Sequence, residues 1–321
     1  MSVIWSVYAL VRFAVIALVF IMSACRPVTS SVEPTIVGPH NTSTAEMHFA
    51  TATLISTPAN TPTRRPTSTV TSAPTLTAGQ RVTVVEQLLA TNDNCKLPCW
   101  WGISPGKSKW LEVEGFILSM GAKTGQQTIG NGLVLHETGG FDLPDKGIRH
   151  RISLIESSTN VIAIMIVADG RSNSEAFKDV WLNYWPDKIL SVYGKPSRIL
   201  LKTFSRAGES SPEARTIYSL WMFYDDQGIL IRYGGTTVFD TTYRICPSYA
   251  ENGNLVPDIE IYLQSPVSSV PINDLARQGL MPETSLRSLE DATGVSIDQF
   301  VELLLRDPQN ACIETPRDIW P

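Results

Sequence analysis

Apolar and polar residues keep a different rhythm in each stretch of this chain. Residues 13–24 are apolar apart from Ser23, a run of signal-peptide core length that is too short to cross a bilayer unaided. From Arg26 to Gln80 the apolar positions thin out, and Ser, Thr and Pro make up about half of the residues. That bias cannot bury enough apolar area to offset the entropy of ordering, so residues 26–80 read as a disordered stalk with extended, polyproline-like pieces. From residue 81 onward tryptophans, tyrosines and β-branched runs appear, and 81–321 is long enough for a sizeable core.

Within that part Trp110, Val113, Ile117 and Met120 fall on one helical face. They predict a helix over 108–120, capped by Ser108 and ended by Gly121. Phe177, Val180, Trp181 and Tyr184 predict another over 174–184. Pro186 opens a further turn that stops at Gly194, and Lys195-Pro196 forbids its continuation. Strand-like runs occupy 133–137, 148–157, 161–167, 198–204, 217–224, 229–233 and 259–263. Short polar turns at 157–160 and 225–228 join four of them as hairpins, so the pairing is expected to be mostly antiparallel. From Pro271 the helical period returns at Leu286, Leu289, Ile297, Phe300, Val301 and Leu304, broken at Gly294. The fold class is α+β, with possible sub-repeats at 95–170 and 171–266 and a helical tail over 267–321.

Cys25 closes the N-terminal apolar run, and Arg12 is the only charge ahead of it. Ile21-Met22-Ser23-Ala24-Cys25 resembles the bacterial lipobox, whose cysteine receives a diacylglyceryl group and becomes the new N-terminus. The resemblance implies a signal peptide over 1–25 and a lipid tether on Cys25. An uncleaved anchor would instead place Arg12 near the bilayer centre, at a cost of roughly 2.5–3.5 kcal/mol. Ordinary secretion with cleavage nearby is a further alternative, and all three put the rest of the chain outside the cytoplasm, on the bacterial cell membrane in the lipidated case.

An oxidising compartment gives the remaining cysteines a meaning. Cys95, Cys99, Cys246 and Cys312 are even in number and point to two structural disulfides, for which three pairings exist. Cys95–Cys99 within one turn and Cys246–Cys312 as a staple for the C-terminus are favoured. The spacing of Cys95 and Cys99 is one residue too long for a thioredoxin-like motif. The formal net charge of −5 argues against nucleic acid, whose phosphates demand a basic face.

Catalytic signatures are thin. Gly106-Lys107-Ser108 lacks the upstream glycine and leading strand of a phosphate loop, so no nucleotide is expected. His136, Glu137, Asp142, Asp145 and His150 bunch in one segment, yet their spacing matches no ligand motif, and a solvated hairpin loop explains them. Asp225-Asp226 reads as a turn rather than a catalytic dyad. No catalytic residue, cofactor or metal is assigned. Trp100, Trp101, Trp181 and Trp185 belong to an aromatic-rich chain whose rings most often fill a core. Any of these four that face outward would form a sugar-stacking platform or a protein hot spot.

Ile103-Ser104-Pro105-Gly106-Lys107-Ser108, the helix after it and Met120-Gly121 resemble the opening motif of the lipoprotein fold shared by the outer-membrane assembly factor SmpA/BamE and β-lactamase-inhibitor proteins. Tyr193-Gly194-Lys195-Pro196 is similar to the helix-ending half of that motif, and 223–233 to its hairpin. The resemblance implies helices layered on a curved antiparallel sheet, and a scaffold that binds proteins. The expected function is a non-catalytic, extracytoplasmic binding or scaffold module for a protein or envelope partner. A carbohydrate- or cell-wall-binding module is the alternative, and a hydrolase using His136 or His150 stands behind both.

Overall fold

Thr77 begins the first helix, α1 (Ala78–Thr91), with a reciprocal cap: its side chain accepts from the Gln80 amide while the Gln80 side chain accepts from the Thr77 amide. The computed structural model describes residues 75–130, 132–170, 174–204, 216–237, 241–247, 258–268, 272 and 286–320. They belong to the unit Thr69–Pro321. The expected signal segment, Cys25 and nearly all of the expected stalk lie outside the described residues. The boundary expected at residue 80 moves upstream, because α1 starts at Ala78. Its Val82-Thr83-Val84 run has low helix propensity, which hid this helix; burial of Val85 and Leu89 stabilises it instead.

Helix α2 (Trp110–Ser119) buries Val113 and Ile117. Ser108 does not cap it, since Lys109 is the N-cap residue and the Ser108 hydroxyl accepts from the Ser104 amide. Gly121, at φ 71°, turns the chain out of the helix as expected. Helix α3 (Ser174–Val180), a 3₁₀ turn (Leu182–Tyr184) and α4 (Pro186–Tyr193) follow the second predicted helical stretch. Pro186 occupies a first-turn position and Gly194 ends α4. Near the C-terminus, α5 (Leu289–Thr293) stops at left-handed Gly294, and α6 (Ile297–Arg306) opens with a Ser296/Gln299 capping box.

Eleven strands form among the described residues, in chain order β1 (Lys123–Gly130), β2 (Leu133–Gly139), β3 (Ile148–Ser157), β4 (Asn160–Gly170), β5 (Arg198–Phe204), β6 (Thr216–Tyr224), β7 (Ile229–Thr237), β8 (Thr242–Ile245), β9 (Asp258–Gln264), β10 (Arg287–Ser288) and β11 (Ile313–Pro316). Nine build one sheet in the order β1-β2-β3-β4-β9-β7-β6-β5-β10, and β8 pairs with β11 in a second. Every pairing is antiparallel. The β3–β4 turn carries Ser158 and Thr159 at φ 49° and 72°, the left-handed pair whose twist suits a tight hairpin. The tail is not purely helical. Ile313–Pro316 is a strand, and the Cys246–Cys312 bridge spans 66 residues to clasp it beside β8.

Strand alternation sorts the sheet into two faces. Ile152, Leu154, Ile164, Ile166, Leu220, Met222, Ile231 and Ile261 point to one side and share a core with the buried faces of α1, α2, α3, α4, α5 and α6. On the opposite side Trp221, Phe223, Leu230, Tyr262 and Ile272 make a small separate cluster. The fold is α+β, with helices gathered on one face of the sheet.

Candidate functional site

The loop 92–102 explains where the tryptophans go. Asn92, Asp93 and Asn94 take left-handed φ of 47°, 51° and 57°, a region that Asn and Asp tolerate best among residues with a side chain. The buried Asn92 amide donates to the Cys95 and Cys99 carbonyls, and its oxygen accepts from the Trp101 amide. The Cys95–Cys99 disulfide closes the same turn. The chain therefore doubles back and drives Trp100 and Trp101 inward, to 0% and 3% exposure, while Trp181 and Trp185 keep 0% and 7%. Trp100 stacks on Trp101 and on Trp181, at 5.6 and 6.1 Å between ring centroids. These four rings are core. The reading of them as ligand contacts is corrected by their burial.

His150 stands at the centre of this aromatic group, nearly perpendicular to Trp101 and Trp181 at 5.2 and 5.3 Å. Neither ring nitrogen has a hydrogen-bond partner. Burial pushes its pKa from 6.5 down to about 3, so the ring is neutral at ordinary pH. His136 sits elsewhere. Its strand partner is Leu154, four residues along β3 from His150, or about 13 Å at the rise of a strand. The His136 ring lies under Trp110 at 3.5 Å and its Nε2 meets Glu156 Oε2 at 2.8 Å. Glu137 is exposed, and Asp142 accepts from the His150 amide rather than meeting its ring. The solvated hairpin loop expected for this segment is corrected: both histidines are buried on strands, at 2% and 0% exposure, and they are held apart along β3 rather than brought together. Among the described residues no three His, Cys, Asp or Glu side chains converge as metal ligands.

The other sequence candidates are structural in their contacts. The Gly106 amide donates to the Val161 carbonyl and the Val161 amide to Ser108, so this loop is sewn to β4. Asp225 closes the β6–β7 turn. Burial acts to raise its pKa, but hydrogen bonds from Arg198 and Ser197 outweigh this and hold it below the usual carboxylate range.

Charged side chains gather instead on the face of the sheet opposite α1 to α6. Register places Arg149 opposite Asp169, Asp169 opposite Asp258, and Asp258 opposite Gly234 across β3, β4, β9 and β7. One row along, Arg151, Val167, Glu260, Arg232, Trp221 and Leu200 lie side by side. Asp169 and Asp258 are like charges facing each other, and each is held by an arginine. Arg149 meets Asp169 at 2.6 Å, while Arg232 Nη1 donates to Asp258 at 2.9 Å and to Glu260 at 2.7 Å. Arg232 Nε donates to Ser219 Oγ, and the Tyr262 hydroxyl donates to Glu260 Oε2 at 2.7 Å. Burial works against the Arg232 charge, and Asp258 and Glu260 outweigh it, keeping the guanidinium firmly protonated. Gly234 makes room for the arrangement, since the space a Cβ would take there is filled by the Asp258 carboxylate.

This cluster escaped the reading of the sequence. Its signal was the alternation of Asp258, Glu260 and Tyr262 with Ile259, Ile261 and Leu263, which marks a polar sheet face but names no partner strand. Arg151 is exposed beside it. Compared with protein families, curated proteins and solved structures, the chain matches none of them.

Proposed function

We propose that this chain is an extracytoplasmic, membrane-tethered lipoprotein whose folded part is a non-catalytic binding or scaffold module for a protein partner in the envelope. The observation that carries the reading is the charged cluster Arg149, Asp169, Asp258 and Arg232 on the face of the sheet opposite α1 to α6. An ordered set of charges, two carboxylates flanked by two arginines, suits recognition by complementarity, which sets register and excludes wrong partners more than it adds raw affinity. Two disulfides fit an oxidising compartment. In this reading the tether is the lipid on Cys25; no helix among the described residues is long and apolar enough to cross a membrane.

A tandem duplication is part of the proposal. One half runs α2 then β1-β2-β3-β4, the other α4 then β5-β6-β7-β9, and the two four-stranded sets meet where β4 pairs with β9. The charged row crosses that junction. Such an arrangement supports the likeness to the SmpA/BamE and β-lactamase-inhibitor fold. The carbohydrate alternative is left without its platform, because Trp100, Trp101, Trp181 and Trp185 are interior.

A photo-crosslinking residue placed at Arg151, exposed on the face opposite α1 to α6, and at Val192, exposed on α4, tests the surface in intact cells. The expected result is a discrete protein adduct from position 151 that disappears when Arg149→Glu is added, and none from position 192. Adducts from 192 alone, or tight binding of the purified protein to cell-wall polysaccharide that Arg149→Glu leaves unchanged, would refute the proposal.

A further inference from the structure

The two edges of the large sheet are unequal. At one end β10 has two residues and carries Arg287, a short and charged edge of the kind that blocks further pairing. At the other end β1 runs for eight residues, and its outer edge has no strand partner among the described residues. Gly125, Gln126, Gln127 and Thr128 are exposed. Residues 124–130 bear no charge in a chain that is 18% charged, and none is proline. Register with β2 is regular from Lys123 to Thr128, so no bulge twists this stretch away. Such an edge is a template for another strand.

We propose that β1 pairs with β1 of a second copy of this chain, antiparallel about a two-fold axis at Gln126. Pairing across a two-fold perpendicular to the sheet puts identical faces on the same side, so residues an even number apart lie opposite one another. With the axis at Gln126, Gln126 faces Gln126 of the second copy, Thr124 faces Thr128 and Gly125 faces Gln127, while Lys123 falls opposite the register shift that follows Thr128. Thr opposite Thr is a favourable cross-strand pair, and the two Lys123 ammonium groups stand about 20 Å apart, beyond the Debye length at physiological salt. The strand is self-complementary in charge as well as in hydrogen bonding. A second observation lies on α2, the helix that packs against β1: its Leu111 and Leu118 are 78% and 48% exposed, apolar surface on the element neighbouring this edge. This edge is separate from the charged row, so either surface can fail its test without the other.

Gln126→Cys in the full chain tests the axis directly, because only there does a residue face its own copy, with Cβ atoms about 4.5–5.5 Å apart. Mild oxidation of native membranes should give a band at twice the chain mass on a non-reducing gel, while Leu305→Cys, exposed on α6, should give none. Gln126→Lys places like charges opposite each other at an exposed site and should weaken association of the detergent-purified chain at least tenfold by sedimentation, with an unchanged circular dichroism spectrum. A Gln126→Cys chain that stays monomeric, or that links to a protein of another mass, would overturn the proposal. So would association that Gln126→Lys leaves intact.

Discussion

His150 is a buried base with both nitrogens unpaired inside an aromatic cage, and its titration is the clearest residue-scale consequence of the fold. The unfolded chain takes up this proton near pH 6.5, whereas the folded chain resists until about pH 3. The unfolded state therefore binds more protons between those values, and stability falls as pH drops through that window while nothing changes above it. At pH 4 the loss from this group alone is on the order of 3 kcal/mol. His150→Leu should match the native protein at pH 7 and keep more of its stability at pH 4, as read from urea midpoints. Parallel pH profiles for the two proteins would contradict the burial of a neutral imidazole. Arg232 makes the opposite kind of prediction. Arg232→Ala leaves Asp258 and Glu260 without their cation in a largely buried site, so stability should fall by about 3–5 kcal/mol at pH 7. Gly234→Ala must displace the Asp258 carboxylate and should cost about 1–3 kcal/mol. Neither role was visible in the sequence, because a glycine inside a strand says that something approaches closely without saying what.

Among the elements, those with a strong period were legible. The stripe at Val113 and Ile117, the β3 and β4 hairpin, and the two short helices either side of Gly294 follow from patterning and end signals alone. Four strands were not, the two-residue β10 among them. β1 reads KTGQQTIG, with no apolar alternation, since one edge and much of both faces meet solvent. β8 and β11 have four residues each, too short for a period to register, and long-range pairing with a disulfide beside it holds them. The cysteine spacing did favour the two bridges that form. Cys312→Ser opens a loop of 66 residues and should lower stability by up to about 4 kcal/mol, in the chain-entropy account. Thermal unfolding with and without the substitution checks this, and an unchanged midpoint would show that the β8–β11 clasp does not depend on its bridge. Removing Cys95–Cys99, whose separation is 4 residues, should cost less, since Asn92 holds the same turn by three hydrogen bonds.

For the whole molecule, the candidate site was the least legible part. Residues distant in sequence, Arg149, Asp169, Arg232 and Asp258, meet because β9 inserts between β4 and β7, and no local pattern announces that insertion. The tryptophans were legible in their usual fate, as core rings, but not in what puts them there: three consecutive left-handed residues fold the loop of Trp100 and Trp101 inward, which removes the outward platform held as the alternative. What sequence did convey is the division into an apolar leader, a polar spacer and a folded part, and the proposed function depends on that division describing an exported, lipid-held protein. The most direct measurement is the intact mass of the mature protein taken from membranes, with thiol alkylation before and after reduction. The account predicts a chain that begins at Cys25 with a diacylglyceryl group, and four cysteines that alkylate only after reduction. A full-length chain still carrying Met1, recovered from the soluble fraction with its thiols freely alkylated, would contradict it.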